Sequence, residues 1–228
     1  MIRLAADPEE LRSRLASARL CLLFTPSLVR GEPLAVLESV LDHVDLVQIR
    51  PKDPGSVGPG SARETYDWTL RVLELLHARG RDTTPVLAND RVDVARSLLD
   101  RGCAGVHLGQ DDCPPAVARS LLGKAALIGL STHGLRQVVL AGDEPVDYLG
   151  FGPIHATATK GYERGLGVEM AWIAAEASEL PLFPIGGIGP ENASELERVG
   201  RAAVSSAILT VADPAAAART LRALLGSA

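Results

Sequence analysis

The stretch VLANDRVDVARSLLDRGCAGVHLGQDD, residues 86–112, decides the fold. Val86-Leu87-Ala88 is a short apolar run closed by Asn89-Asp90, a strand leaving a core. Val92, Ala95, Leu98 and Leu99 then recur at helical spacing, and Gly102 supplies the stop. Ala104–His107 is a second strand, running into Gly109-Gln110-Asp111-Asp112. Strand, helix and strand at this length make a βαβ unit, whose strands must be parallel and end at one edge of the sheet. Neighbouring strands lie roughly 4.8 Å apart, so Asp90 and Asp112 can share one cation. Either Asp alone would be a helix cap or a solvated turn residue. Two hard oxygen ligands at one edge, with positions left for substrate phosphate, suit Mg2+.

The same alternation runs outward from this unit in both directions. Apolar runs at Leu20–Phe24, Leu46–Ile49, Ala126–Leu130, Asp147–Gly150, Leu182–Ile185 and Ala202–Ser205 read as six more strands. Helical periods separate them, at Leu34–Val44, Ala62–Arg79, Pro114–Leu122, Gln137–Ala141, Val168–Ala177, Asn192–Val199 and Pro214–Leu225. One further amphipathic helix, Pro8–Arg19, precedes the first strand. Eight strand–helix repeats predict an α/β chain folded as a (β/α)8 TIM barrel, with an extra N-terminal helix and one domain over residues 1–228. An open doubly wound sheet would use the same alternation; the eight repeats favour closure.

Bulk composition narrows the function. With 46% hydrophobic residues the chain is an ordinary soluble one, and a net charge of -5 argues against nucleic-acid or membrane-surface partners. Three cysteines without CxxC spacing suggest reduced thiols. No signal-peptide or membrane-length run is present, so a cytoplasmic location is expected. Only three of the 23 basic residues are lysine, namely Lys52, Lys124 and Lys160, and two of these follow strand ends.

A barrel keeps its chemistry at the C-terminal ends of its strands. Those ends collect Gln48, Arg50, Lys52, Asn89, Asp90, His107, Gln110, Asp112, Ser131, His133, Thr157, Thr159 and Lys160. Gly186-Gly187 and Ser205-Ser206 add donors after strands seven and eight, where barrels often bind a phosphate monoester. Arg50, Lys52 and Lys160 around a two-carboxylate metal position exceed what a monophosphate needs and suggest a diphosphate. Lys124 falls in a helix-to-strand turn on the opposite face, with no expected role.

VQIRPK at 47–52, ANDR at 88–91, GVHLGQDD at 105–112, STH at 131–133, DYLGFGPIHATATK at 147–160 and FPIGGIGPENA at 183–193 together resemble the thiamine-phosphate synthases. The resemblance implies a Mg2+-dependent transferase. It would join 4-amino-5-hydroxymethyl-2-methylpyrimidine diphosphate to a thiazole phosphate and release pyrophosphate. It implies that Gln48, Arg50, Lys52, Asn89, Ser131 and Lys160 hold the pyrimidine diphosphate, with Arg50, Lys52, Lys160 and Ser131 catalytic. Asp90 and Asp112 match the Mg2+ ligands, and Thr157, Thr159, Gly187, Ser205 and Ser206 the thiazole-phosphate positions. Pro51 departs from a common Glu, His155-Ala156 from a common Phe-Pro, and CLLFTPS lacks the family's usual Tyr and Asp. A thiazole tautomerase, built around His133, and a non-catalytic precursor-binding barrel are the alternatives. Oligomeric state, including a homo-oligomer, stays open.

Overall fold

The computed structural model describes residues 7–52, 60–156 and 165–226. Eight parallel strands form its centre: β1 (Leu20–Phe24), β2 (Leu46–Ile49), β3 (Val86–Asn89), β4 (Gly105–Leu108), β5 (Leu127–Thr132), β6 (Tyr148–Phe151), β7 (Leu182–Pro184) and β8 (Ala202–Val204). They are hydrogen-bonded in the order β7-β6-β5-β4-β3-β2-β1-β8. A single bridge, Ile185 to Ala203, joins β7 to β8 and closes the barrel.

Nine helices are described: α1 (Pro8–Ser17), α2 (Pro33–Val40), α3 (Ala62–Ala78), α4 (Val92–Leu98), α5 (Pro115–Leu122), α6 (Leu135–Ala141), α7 (Val168–Glu176), α8 (Ser206–Leu209) and α9 (Pro214–Leu224). Local chemistry starts several of them. Asp7 caps α1, Asp213 caps α9 with Pro214 behind it, and Ser61 opens α3 by accepting from the Glu64 amide. Gly102, at φ 101°, ends the turn after α4 in the left-handed conformation expected of it. None of the described helices is long and apolar enough to cross a membrane.

Two elements differ from the sequence expectation. Residues 192–199 do not form an α-helix; a 3-10 turn covers Ala193–Leu196. The Trp172 indole N–H donates to the Glu195 carbonyl, and the Val199 amide turns instead to Leu196. A helical i to i-4 bond is thereby replaced by a tertiary one. The short α8 was also missed, because four residues carry no readable period.

Side-chain alternation along the strands divides the core in two. One set faces the surrounding helices and includes Leu22, Phe24, Val47, Ile49, Val106 and Ile128. The other fills the barrel interior with Cys21, Leu23, Leu46, Leu87, Leu127, Tyr148, Phe183 and Ala203. Leu11, Leu15 and Ala18, in and just after α1, belong to that interior cluster, so the extra helix plugs the N-terminal mouth. Arg12 fastens it there, with Nε 3.0 Å from Asp147 Oδ1 and Nη2 donating to the Lys124 carbonyl at 2.6 Å. Lys124 therefore lies at the N-terminal end, away from the expected chemistry.

Candidate active site

Following the inward parity past the apolar floor leads directly to polar groups. Leu46 is succeeded by Gln48 and Arg50, Leu87 by Asn89, Leu127 by Gly129 and Ser131, and Ala203 by Ser205. Gln48, Arg50, Asn89, Ser131 and Ser205 line a cavity at the C-terminal mouth. Gly187, Ser206 and His133 line it too, while Cys21, Leu23, Tyr148 and Phe183 form its lower wall.

On the β2–β3 side, Gln48 Nε2 donates to Asn89 Oδ1 at 2.5 Å, and both side chains are buried. That leaves one amide acceptor and one amide donor side by side. Arg50 is only 6% exposed, and its guanidinium forms no hydrogen bond among the described residues. Burial pushes Arg50 below its ordinary range, opposed by the negative charge of Asp90.

Asp90 carries the one positive φ outside glycine among the described residues, 63°. Its amide donates to the His107 carbonyl at 2.8 Å, pinning the turn to β4. The left-handed conformation costs a non-glycine residue on the order of 1 kcal/mol, and Asp is among the side chains that best tolerate it. Lys52 Nζ lies 2.5 Å from Asp90 Oδ2, with both side chains 10% exposed. Burial raises the Asp90 carboxyl, the Lys52 ammonium lowers it, and Asp112 raises it again by charge and direct contact. Asp90 and Asp112 are thus brought together, as the βαβ reading requires. Asp112 is oriented by the Gly109 amide, which donates to Oδ2 at 2.7 Å. A partly buried like-charge carboxylate pair, answered in part by one lysine, is a donor set that fits a hard divalent cation.

At β4–β6, His107 stands between Tyr148 and Ser131: Nδ1 is 2.9 Å from the phenolic oxygen and Nε2 is 2.9 Å from Ser131 Oγ. Gly129 makes room, because a Cβ there would meet Tyr148 Cζ at 2.2 Å and His107 Nδ1 at 2.5 Å. Ser131 is itself held by Gln110, whose Nε2 donates to its carbonyl at 2.6 Å. His133 Nδ1 donates to the Gly152 carbonyl at 2.6 Å. The sequence places His107 at a strand end without a role and gives no sign of Tyr148 as its partner. The signal that finds them is inward parity combined with Gly129 across the register from both.

On the far side, Gly186 and Gly187 have φ of 101° and 64°, and a Cβ on Gly187 would meet His155 Cβ at 2.7 Å. Ser205 Oγ donates to the Leu23 carbonyl at 2.9 Å, tying β8 to β1, and α8 begins at Ser206. Thr157, Thr159 and Lys160 lie outside the described residues.

The thiamine monophosphate synthase family matches residues 20–208. The chain belongs to that family. It is 41% identical over 199 residues to the thiamine-phosphate synthase of Azorhizobium caulinodans, spanning 86% of this chain and 88% of that one. It is also 41% identical to the thiamine-phosphate synthase of Synechococcus sp. (strain CC9605), over 92% of this chain but 56% of the longer relative. The chain therefore spans little more than half the length of several curated relatives. Among solved structures, thiamine phosphate pyrophosphorylase from Pyrococcus furiosus superposes with a TM-score of 0.75 at 28% identity, covering 94% of this chain and 97% of that one.

Proposed function

We propose that this member of the thiamine monophosphate synthase family is a thiamine-phosphate synthase. It transfers the 4-amino-2-methylpyrimidin-5-ylmethyl group from its diphosphate to a thiazole phosphate, releasing pyrophosphate. The observation that carries the reading is the convergence of Asp90, Asp112, Lys52 and buried Arg50, whose guanidinium is unpaired among the described residues, beside one cavity. A site of this kind is suited to a departing diphosphate.

In the reaction the C–O bond to diphosphate breaks and the leaving group takes the electron pair. The pyrimidine amino group donates electron density into the ring and stabilises the resulting cation. The thiazole nitrogen lone pair then forms the new C–N bond, and no proton has to be removed first. Catalysis consists of stabilising the leaving group and holding the two rings in line. Arg50, Lys52 and Lys160 supply positive charge to the diphosphate. Gln48 and Asn89 present a donor and an acceptor to the aminopyrimidine edge, and Ser131 contacts the same substrate. Thr157, Thr159, Gly187, Ser205 and Ser206 take the thiazole phosphate. Asp90 and Asp112 would hold Mg2+, whose chemistry when bound is to neutralise diphosphate charge.

Purified protein with Mg2+, the pyrimidine diphosphate and the thiazole phosphate should yield thiamine phosphate and pyrophosphate in equal amounts. Isomerisation of the thiazole without coupling would assign the site to a tautomerase centred on His133. Binding of both compounds without turnover would leave a precursor-binding barrel.

A further inference from the structure

The chain Tyr148–His107–Ser131 crosses the barrel from its apolar floor to the cavity. Tyr148 is 2% exposed, with its ring edge-on to Phe183 at 5.7 Å between centroids. Its phenol is buried, and burial pushes it well above the ordinary range, so it keeps its proton. A buried phenolic proton left without an acceptor is strongly unfavourable, because no water replaces the lost hydrogen bond. Within hydrogen-bond distance of that oxygen lies His107 Nδ1, at 2.9 Å.

The direction of the chain follows from that proton. With Tyr148 donating to Nδ1, the neutral imidazole carries its own proton on Nε2 and donates it to Ser131 Oγ, 2.9 Å away. Ser131 Oγ then accepts from within the barrel, and its own hydrogen is turned toward the cavity that it lines. Reversing the tautomer would direct the Ser131 proton back to His107 and strand the Tyr148 proton on the apolar floor. We infer that Tyr148 and His107 are positioning residues that make Ser131 an obligate hydrogen-bond donor to the substrate. In the synthase reading, on which the catalytic part of this inference rests, the acceptor is the oxygen of the pyrimidine diphosphate that gains charge as the C–O bond breaks. A donor aimed there is worth more in the transition state than in the ground state, so it acts on kcat rather than KM. This side of the site is then a three-residue relay, with Gly129 leaving the space in which its two rings meet.

The tautomer is measurable without turnover. In the ligand-free wild type near neutral pH, imidazole 15N shifts assigned through His107→Gln should show a protonated Nε2 and an unprotonated Nδ1. A protonated Nδ1 would overturn the inference, whatever the protein catalyses. Kinetics supply the second arm. Tyr148→Phe keeps the ring packing and should lower kcat about tenfold, the scale of one hydrogen bond, with KM for the pyrimidine diphosphate within about twofold. In a Ser131→Ala background the same change should have no further effect; multiplicative losses would reduce Tyr148 to packing and overturn the relay. His107→Gln, whose amide can accept from Tyr148 and donate to Ser131, should retain more activity than His107→Leu. A wild type without synthase activity would remove the proposed function while leaving the tautomer result to decide the relay.

Discussion

The two mouths of the barrel both hold buried charge, and they treat it in opposite ways. At the N-terminal mouth two carboxylates, Asp147 and Asp45, are saturated. Asp147 accepts from the Ile128 amide at 2.8 Å, Arg119 Nη2 at 2.7 Å and Arg12 Nε at 3.0 Å. Asp45 accepts from the amides of Arg19 and Leu20, at 2.9 and 3.1 Å, and from Arg222 Nη1 at 2.7 Å. At the C-terminal mouth pairing stays incomplete: Arg50 is buried with its guanidinium unpaired among the described residues, and Asp90 is pressed against Asp112 with Lys52 bound to Asp90. Charges that are fully paired hold strands and helices together. Charges kept dry and incompletely paired raise the energy of the empty site and are relieved by a ligand of opposite sign.

The comparison can be broken most sharply at Arg50. Arg50→Ala should reduce turnover by about 10²–10³, the usual loss for a group facing developing charge, while the unfolding midpoint in urea stays the same or rises. A large loss of stability instead would place Arg50 with the structural charges. The opposite mouth should give the opposite result. Leu15→Ala removes a side chain that is 2% exposed at the base of the barrel, and should cost about 2–5 kcal/mol in unfolding free energy. The kcat of the folded fraction should not change. Asp147→Ala should follow the same pattern more weakly, at about 1–3 kcal/mol, because its partners Arg12 and Arg119 are 42% and 18% exposed and solvent takes over part of their charge.

Asp112→Asn sharpens the contrast within the upper mouth. The amide keeps an oxygen to accept from Gly109 but loses the charge. Mg2+ at about 100 times its dissociation constant should stabilise the wild type by about 2.7 kcal/mol, seen as a rise in Tm that the variant lacks. An equal Mg2+ response in both proteins would remove Asp112 from the metal position. The smallest effect is expected at Lys124→Ala, within about 0.5 kcal/mol and without change in kcat, since among the described residues Lys124 contributes its backbone carbonyl, to Arg12, which the substitution keeps.

Much of this arrangement is legible in the chain because the strands are short and buried. Leu20–Phe24 and Leu46–Ile49 stand out as apolar runs, and the structure returns them with the same bounds. Asp90 and Asp112 could be paired from sequence alone, because a right-handed βαβ unit leaves little freedom in where its two strands end. The 3-10 turn at Ala193–Leu196 could not, because it depends on Trp172 reaching a carbonyl 23 residues away. Nor could the fate of Ser205, whose hydroxyl is directed to Leu23 across the barrel seam.

Sequence by itself determined the alternation of strands and helices, the edge at which the charged residues gather, and the family to which their spacing belongs. Hydrophobic period and chain direction are local properties, and parallel strands convert them into a common rim. Tertiary structure alone decided which of those polar groups are satisfied. The pairing of Gln48 with Asn89, the burial of Arg50 and the seating of His107 between Tyr148 and Ser131 depend on residues far apart in the chain. Hydrogen bonds of this kind act over about 3 Å, a distance that only the closed barrel sets.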